Sequence, residues 1–316
     1  MIFNTLLDAS VIYSFDQRGF VRHQQSYFRS TDILEERAKG KNIVITGGTG
    51  GIGRSVVQKS VELGMNVWLC CRNPQKAQTL KTELIESGMN EKNWNVINMD
   101  LGDLDSISTA CKAFSHINID VLVHNAGILP TSSQISNLYG YNVEQATVVN
   151  LIAPYIVTRM LSLQKNITDN TRVIWVSSGG MYPVKLDVSS LQSPMSRFDG
   201  VQLYAQSKRA EVILAQEFSK EHMSLSMHPG WVDTEGVQNS IPRFYQWSKK
   251  HLRTPEQGSD SIVWLAVVDA HRLQNGGFCF DRQFKNPYLL PFTKESTSQR
   301  QNMLNWLEEM FQKWQA

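Results

Sequence analysis

The sequence predicts an α/β fold, a doubly wound parallel sheet with helices on both faces. Short apolar runs alternate with helix-length amphipathic stretches over most of the chain, which is the pattern of successive strand–helix–strand units. A glycine-rich turn, TGGTGGIG, joins the first such strand to the first such helix. The 316 residues, 41% of them hydrophobic, suffice for one large domain.

Apolar, β-branched runs bounded by turn residues predict the strands. In chain order they are 43–45, 65–72, 94–100, 119–127, 172–178, 223–230 and 277–281. Apolar residues at helical spacing predict helices over 54–63, 74–88, 103–115, 141–165, 202–220 and 256–269. We place one domain at 41–282, with an N-terminal extension at 1–40 and a C-terminal extension at 283–316.

Composition excludes several classes of protein. The net charge of +2 gives no reason to expect a nucleic-acid surface. The four cysteines contain no C-x-x-C pair, so we expect neither disulfides nor a metal site, and a reducing, cytoplasmic location. The first 20 residues lack the basic start of a cleaved signal peptide. No apolar run reaches the ~18 residues that a membrane span needs.

The glycine-rich turn predicts a dinucleotide site. Between a strand and a helix, glycines let the backbone turn sharply, let a pyrophosphate approach, and direct helical N–H groups at the anion. The spacing alone fits three dinucleotide-binding patterns, beginning at Thr46 or Gly48. The turn therefore indicates the ligand class and leaves the family open.

Arg72 predicts which dinucleotide binds. The residue that ends the second strand of such a fold faces the adenosine ribose, where a carboxylate favours NAD and an arginine favours NADP. This strand ends in Cys71 and Arg72, without Asp or Glu. We therefore expect NADP(H), with NAD as the weaker alternative, although Arg72 could also be an ordinary surface residue.

Further motifs resemble the short-chain dehydrogenase/reductase family, and within it the retinol-dehydrogenase-like members, over about 41–282. They are TGGTGGIG, MDL, HNAG, VSS, YAQSK and HPGWVDT, each after a predicted strand or opening a helix. The resemblance implies a Rossmann fold and an oxidoreductase. It assigns to cofactor binding Thr46, Gly47, Thr49, Gly51, Ile52, Gly53, Arg72, Asp100, Leu101, Asn125, Ala126, Gly127, Tyr204, Lys208, Pro229, Gly230, Val232 and Thr234.

Tyr204 and Lys208 are four residues apart at the start of a helix, so their side chains project from one face. A phenol with a pKa near ~10 transfers protons readily at neutral pH only if a cation stabilises its ionised form. Alternation places Ser177 and Ser178 on opposite faces of a strand, and the resemblance selects Ser178 for the substrate oxygen. It gives Asn150, unfavoured inside a helix, a role in proton relay.

The substrate is expected to be a hydrophobic small molecule carrying a carbonyl or an alcohol. Ser178 and Tyr204 are separated by 26 residues, about twice the usual family spacing, and this insertion is either a substrate wall or a surface excursion. The alternative function is a non-catalytic NADP-binding regulatory or scaffold protein. Apolar residues predicted to line the pocket are Met181, Tyr182, Leu186, Trp231, Val237, Ile241, Phe244, Tyr245 and Trp247.

The C-terminal extension contains an amphipathic helix. Met303, Leu307, Met310 and Trp314 recur at helical spacing and form one apolar stripe. Its charges are mixed, which disfavours binding to a membrane surface. We expect the helix to dock on the domain.

Overall fold

The computed structural model describes residues 11–27 and 35–316. The remaining parts of the predicted N-terminal extension, 1–10 and 28–34, lie outside the described residues. The strands, in chain order, are β1 (Asn42–Thr46), β2 (Asn66–Cys71), β3 (Trp94–Asn98), β4 (Val121–His124), β5 (Ile135–Leu138), β6 (Tyr141–Glu144), β7 (Arg172–Val176), β8 (Met223–Met227), β9 (Phe278–Phe280) and β10 (Gln283–Lys285).

Eight strands form the main sheet, in the order β10-β9-β8-β7-β4-β1-β2-β3. All neighbouring pairs are parallel except β9 and β10, which are antiparallel. The chain extends the sheet from β1 through β2 to β3, then returns to the other side of β1 with β4. Strand order therefore reverses between β1 and β4, and a crevice opens there at the carboxyl ends of the strands. The predicted doubly wound parallel sheet is confirmed.

The helices are α1 (Val11–Phe15), α2 (Gln17–Tyr27), α3 (Glu35–Ala38), α4 (Gly51–Glu62), α5 (Pro74–Glu86), α6 (Leu104–Lys112), α7 (Gln145–Thr147), α8 (Ala153–Leu163), α9 (Val188–Gln192), α10 (Gly200–Phe218), α11 (Glu235–Ser240), α12 (Pro242–Ser248), α13 (Pro255–Val267) and α14 (Thr297–Gln315). A π-helical turn, Val148–Ile152, joins α7 to α8.

Two apolar clusters cover the two faces of the main sheet. One joins buried residues of α6, α8, α10 and α14 to the strands, and the other joins those of α4, α5 and α13. Because both faces are covered, most strand residues are buried, which explains their nearly continuous apolar sequences. By packing on both faces, the helices hold the sheet in place, and with it the carboxyl edge at which the crevice opens.

One predicted element differs from the structure. The helix expected over 141–165 begins only at Gln145, because Tyr141–Glu144 pairs with Ile135–Leu138 as an antiparallel hairpin. The C-terminal helix docks as predicted. Met303, Leu307 and Met310 of its apolar stripe are buried in the core cluster that it shares with α8 and α10, and Trp314 packs against that cluster.

Among the described residues, one helix, Gln145–Leu163, is long and apolar enough to cross a membrane by length and composition alone. However, 72% of that window is buried inside the protein. Such burial is also found in core helices of globular domains, so this helix is weak evidence for a membrane span.

Candidate active site

A cavity of about 910 Å³ opens at the carboxyl edge of the main sheet, beside the strand-order reversal. Every residue predicted to bind the cofactor lines it, as does Ser178. Asn150 is the exception among the predicted site residues, because it is fully buried behind the cavity wall. The structure therefore brings together segments that are far apart in sequence.

The glycine turn and the Asn125–Ala126–Gly127 segment form one hydrogen-bonded unit. The Thr46 hydroxyl accepts from the backbone N–H groups of Asn125 and Ala126, both at 3.2 Å. The Asn125 amide donates to the carbonyls of Thr46 and Gly47, at 3.0 and 3.1 Å. Asn125 thus acts on the cavity by orienting the glycine turn.

Two of the glycines are required by close approach. Gly47 has a φ of 68°, and a Cβ there would lie 2.8 Å from the Cα of Ala126. A Cβ at Gly53 would clash with the carbonyl oxygen of Gly47. A larger residue at Gly53 would push the helix away from the glycine turn, and one at Gly47 would push the turn away from Ala126.

The start of α4 is suited to an anion. No described side chain caps this helix, its first turn carries no acidic residue, and Thr49, Gly50, Gly51 and Ile52 line the cavity. The first N–H groups of a helix have no intrahelical acceptor, and the helix dipole favours negative charge near them. The residues present therefore fit the pyrophosphate of a dinucleotide.

Cationic side chains lie at the end of the cavity next to β2. Arg72 follows the strand and is exposed, and Asn73 and Lys76 line the same region. The Asn73 side chain caps α5 by accepting from the Lys76 N–H at 3.0 Å. Lys76 was not among the predicted site residues, although its place in the first turn after Arg72 could have suggested it.

Tyr204 and Lys208 lie on one face of α10, which begins at the capping residue Asp199. The Lys208 side chain is 3% exposed, and its Nζ lies 5.5 Å from the centroid of the Tyr204 ring. The same Nζ donates to the Val176 carbonyl at 2.9 Å and to Glu211 Oε1 at 2.7 Å. The cation is thus fixed next to the phenol that it is expected to stabilise.

The two serines at the end of β7 have different environments. The buried Ser177 hydroxyl donates to the Lys208 carbonyl at 2.7 Å. Ser178 is half-buried, and its Oγ accepts from the Gly180 N–H at 3.2 Å. Ser177 therefore anchors α10 to the sheet, and Ser178 offers its hydroxyl to the cavity.

Asn150 lies in the π-helical turn and connects two walls of the cavity. Its Oδ1 accepts from the Ile128 N–H at 2.8 Å, and its Nδ2 donates to the Ile128 carbonyl at 2.9 Å and to Ser207 Oγ at 3.1 Å. A Cβ at Gly127 would lie 3.1 Å from Lys208 Nζ and 3.5 Å from Asn150 Oδ1. The Lys208 ammonium and the Asn150 amide thus converge behind Gly127. Short π-helical turns, such as the one that carries Asn150, occur frequently at functional sites.

Glu211 is a charged group that the sequence analysis missed. It is buried one turn after Lys208, with Oε1 on the lysine and no hydrogen-bond partner for Oε2 in the described structure. Burial raises the pKa of Glu211 to about 7, against the opposing effect of Lys208. Burial alone would lower the pKa of Lys208, but the negative charge of Glu211 and that of ionised Tyr204 raise it above its ordinary value. The i, i+3 spacing of Lys208 and Glu211 on one helix was the signal that could have predicted their contact.

His228 has a structural environment. Its Nδ1 accepts from the Gly230 N–H at 3.0 Å, and its ring centroid lies 4.4 Å from that of Phe15 and 4.6 Å from that of Phe280. Burial and, next, the charge of Arg253 lower the pKa of His228 to about 3. The imidazole therefore stays neutral near pH 7 and shapes the Pro229–Gly230 turn.

The apolar end of the cavity differs in part from the prediction. Of the predicted wall residues, Trp231, Val237, Ile241 and Phe244 line the cavity. Met181, Tyr182 and Leu186 are buried in apolar clusters instead, and Tyr245 and Trp247 do not line the cavity. The insertion after Ser178 packs into the core because α9 and the turn 179–181 lie against α10. Other apolar lining residues, absent from the prediction, are Ile128, Leu129, Val149 and Val201.

Comparison with known proteins identifies the family. Residues 41–243 match the model for short chain dehydrogenases. The chain is 32% identical over 285 residues to dehydrogenase/reductase SDR family member 12 of Bos taurus, covering 88% of this chain and 89% of that protein. It is 26% identical to human retinol dehydrogenase 11, covering 77% of each.

A solved structure shares the fold. It is a putative NAD(P)-dependent gluconate 5-dehydrogenase from Beutenbergia cavernae with bound NADP, 21% identical, with a TM-score of 0.60 over 76% of this chain and 94% of that one. The predicted resemblance to retinol-dehydrogenase-like members is confirmed by the two sequence relatives. With the matched domain, the cavity and the Asn–Ser–Tyr–Lys residues together, the chain belongs to the short-chain dehydrogenase/reductase family of oxidoreductases.

Proposed function

We propose that the protein is an NADP(H)-dependent oxidoreductase that interconverts a carbonyl and an alcohol on a hydrophobic small molecule. The observation that carries the proposal is one continuous cavity with three chemically distinct regions. Arg72 and Lys76 lie at one end, Trp231 and Phe244 at the other, and Ser178, Tyr204 and Lys208 line the same cavity. A mostly apolar pocket with a few convergent polar groups is the usual form of a small-molecule site.

Each polar residue has a separate task in this proposal. The nicotinamide cofactor, when bound, supplies or accepts the hydride. Ser178 donates a hydrogen bond to the substrate oxygen as negative charge develops on it. Tyr204 gives the proton to that oxygen, or removes it in the reverse direction. The buried Lys208 ammonium stabilises the resulting phenolate, and Asn150 fixes the wall behind Lys208.

Cofactor choice rests on Arg72 and Lys76. A guanidinium and an ammonium favour the 2′-phosphate of NADP, and arginine can bind phosphate through two parallel hydrogen bonds. Asp100, which lines the cavity after β3, accepts from the Gly102 N–H at 2.8 Å and orders its own turn. NADP bound in the similar Beutenbergia protein supports the same choice.

Substrate class rests on the apolar walls and on the relatives. Trp231, Val237, Ile241 and Phe244 present no charge, and human retinol dehydrogenase 11 is named for an apolar alcohol. The proposal places the enzyme in the cytoplasm, since all four cysteines are free and buried.

The test is turnover of a carbonyl series of rising chain length by the wild type and Tyr204→Phe. We expect NADPH consumption with hydrophobic aldehydes or ketones, weak activity on small charged ones, and a loss of about 10²–10⁴-fold in Tyr204→Phe, because the proton donor is gone. NADPH affinity should stay within about twofold. The matched control is Tyr245→Phe, outside the cavity lining. Wild-type turnover by Tyr204→Phe would contradict the proposal.

A further inference from the structure

The N-terminal arm, residues 11–27, precedes the part of the chain that matches the family. It consists of α1 and α2, and it is packed into the protein. Phe15 and Phe20 are 5% and 4% exposed, and the polar residues Ser14 and Asp16 are also buried. Burying two aromatic rings removes a large apolar surface from water, which stabilises the attached arm.

Arg253 attaches the N-terminal arm to the domain. Its guanidinium is 1% exposed and pairs with Asp281 at 2.6 and 2.8 Å. The remaining N–H groups donate to the Ser14 carbonyl at 3.0 Å, the Asp16 carbonyl at 3.2 Å and the Pro229 carbonyl at 3.3 Å. A buried cation needs such partners, because an unpaired one would be strongly destabilising. One side chain therefore joins the N-terminal arm to the turn after β8.

Phe15 places the N-terminal arm against the substrate end of the cavity. Its carbonyl accepts from the Trp231 N–H at 2.8 Å, and its ring meets the Trp231 ring edge to face, with centroids 6.1 Å apart. Trp231 lines the cavity and in turn packs on Phe244, with centroids 5.0 Å apart. Phe15 thus supports the apolar wall from behind.

Phe15 also lies under the turn that carries Ser178. A Cβ at Gly179 would lie 2.8 Å from Phe15 Cε2 and 3.0 Å from His228 Cε1. The Phe15 and Tyr182 rings stack with centroids 5.8 Å apart. The ring therefore packs directly behind the backbone that carries the Ser178 hydroxyl.

We propose that Phe15 is a positioning residue of the active site, and that the N-terminal arm fixes Trp231 and the Ser178–Gly180 turn at the substrate end of the cavity. This inference rests on the proposed function for its kinetic consequence. The structural part stands on the hydrogen bond to Trp231, the ring contacts and the close approach at Gly179. The cofactor end, formed by the glycine turn and Arg72, has no contact with Phe15 among those described.

The test compares Phe15→Ala and Phe15→Leu with Val21→Ala, a matched change on the exposed side of the same arm, where Val21 is 47% exposed. Amide hydrogen exchange is followed in peptides covering 178–182, 229–234 and 47–53, without substrate. Kinetics on the best carbonyl of the series and NADPH titration complete the set. We expect about tenfold faster exchange at 178–182 and 229–234 in Phe15→Ala, and unchanged exchange at 47–53.

The kinetic expectation is selective. In Phe15→Ala the KM for the carbonyl should rise about tenfold, NADPH affinity should stay within about twofold, and Phe15→Leu should recover most of the loss. Val21→Ala should behave as the wild type. Unchanged exchange at 178–182 and 229–234, equal acceleration at 47–53, or parallel loss of NADPH binding would overturn the inference. If the wild type reduces no carbonyl, the proposed function fails, whereas exchange still decides whether Phe15 positions these segments.

Discussion

At the scale of a single residue, we propose that Arg72 decides the choice between the two nicotinamide cofactors. We predict that Arg72→Ala weakens NADPH binding by about 10- to 100-fold, because hydrogen bonds to charged groups contribute roughly 1.5–3 kcal/mol. NADH binding should change little, since NADH lacks the 2′-phosphate. The measurement is fluorescence titration of both cofactors. Arg54→Ala is the control, because Arg54 pairs with Glu83 and does not line the cavity. Equal weakening of both cofactors would disprove the assignment.

Glu211 is predicted to set the basic limb of the pH–rate profile. Its carboxylate opposes the effect of burial on Lys208 and raises the pKa of that ammonium. In Glu211→Gln burial remains and the negative charge is lost, so the pKa of Lys208 falls. The basic limb of kcat/KM should therefore move to lower pH, by about one unit or more. Because the pKa of Lys208 in the wild type lies above its ordinary value, the measurement is kcat/KM from about pH 7 to about pH 12, on a grid of about half units.

Glu217→Gln is the matched control for that profile. Glu217 lies on the same helix but pairs with Lys220 at the surface, where an ion pair contributes little. Its replacement should leave both limbs in place. A basic limb that stays at its wild-type pH in Glu211→Gln would show that Lys208 does not respond to the carboxylate.

Sequence reasoning found the residues that carry motifs and missed those that act through distant contacts. Arg72 was predicted because it ends a recognisable strand, and Ser178 because the resemblance to the family selects it over Ser177. Arg253 and Phe15 were missed, since Arg253 meets Asp16 across 237 positions of sequence, and no local pattern records such a contact. Glu211 was missed because an acidic residue on a helix usually indicates a solvated face.

At the scale of elements, periodicity predicted every main-sheet strand except the short β10, and it predicted most helices of the domain. It failed where the helical repeat changes. The π-helical turn Val148–Ile152 inserts one extra residue into the helix. Four of its five residues are buried, so the apolar pattern does not show where the repeat changes. The hairpin of Ile135–Leu138 and Tyr141–Glu144 was missed because its strands are short and partly exposed.

The C-terminal helix α14 is predicted to contribute to the stability of the domain as part of its core. Leu307 is fully buried in the cluster shared with α8 and α10. Leu307→Ala should lower the free energy of unfolding by about 2–5 kcal/mol, through lost burial and the cavity left behind. Urea unfolding followed by circular dichroism measures the change. Asn302→Ala, on the exposed side of α14, should have an effect within about 0.5 kcal/mol.

A single cooperative transition is expected for both variants. If α14 melted separately, before the rest of the domain, Leu307→Ala would change an early, small transition and leave the main midpoint unaltered. That outcome would mean that the helix is an appendage to the domain.

At the scale of the whole molecule, buried titratable groups give stability a pH dependence with two opposing parts. Burial lowers the pKa of His124 and of His228 to about 3 in the folded state. Both histidines therefore contribute to stability when the pH is above their pKa in the unfolded chain, near ~6.5, and that contribution is lost as the pH falls. Burial raises the pKa of Glu211 to about 7 in the folded state. The contribution of Glu211 to stability is therefore lost as the pH rises towards that pKa, and it is regained in acid.

His228→Asn isolates one of these parts. Between pH 7 and pH 5 the unfolded chain protonates His228 and the folded protein does not, which removes about 2 kcal/mol of stability from the wild type. The asparagine oxygen can still accept from the Gly230 N–H but does not titrate. The loss of unfolding free energy between these pH values should therefore be about 2 kcal/mol smaller in His228→Asn, whatever its stability at pH 7.

Two further variants complete this pH experiment, which is urea unfolding at pH 7 and pH 5. His271→Gln removes an exposed imidazole, 75% exposed in its side chain, and should retain the wild-type difference. Glu211→Gln removes the group of opposite sign, so its difference should be larger than that of the wild type by about 2 kcal/mol. If all three variants lost the same free energy as the wild type, groups other than His228 and Glu211 would control acid unfolding. The pH-dependent loss of unfolding free energy should change in opposite directions in His228→Asn and Glu211→Gln. That result requires that the folded protein bury His228 as the neutral imidazole and favour the protonated carboxyl of Glu211.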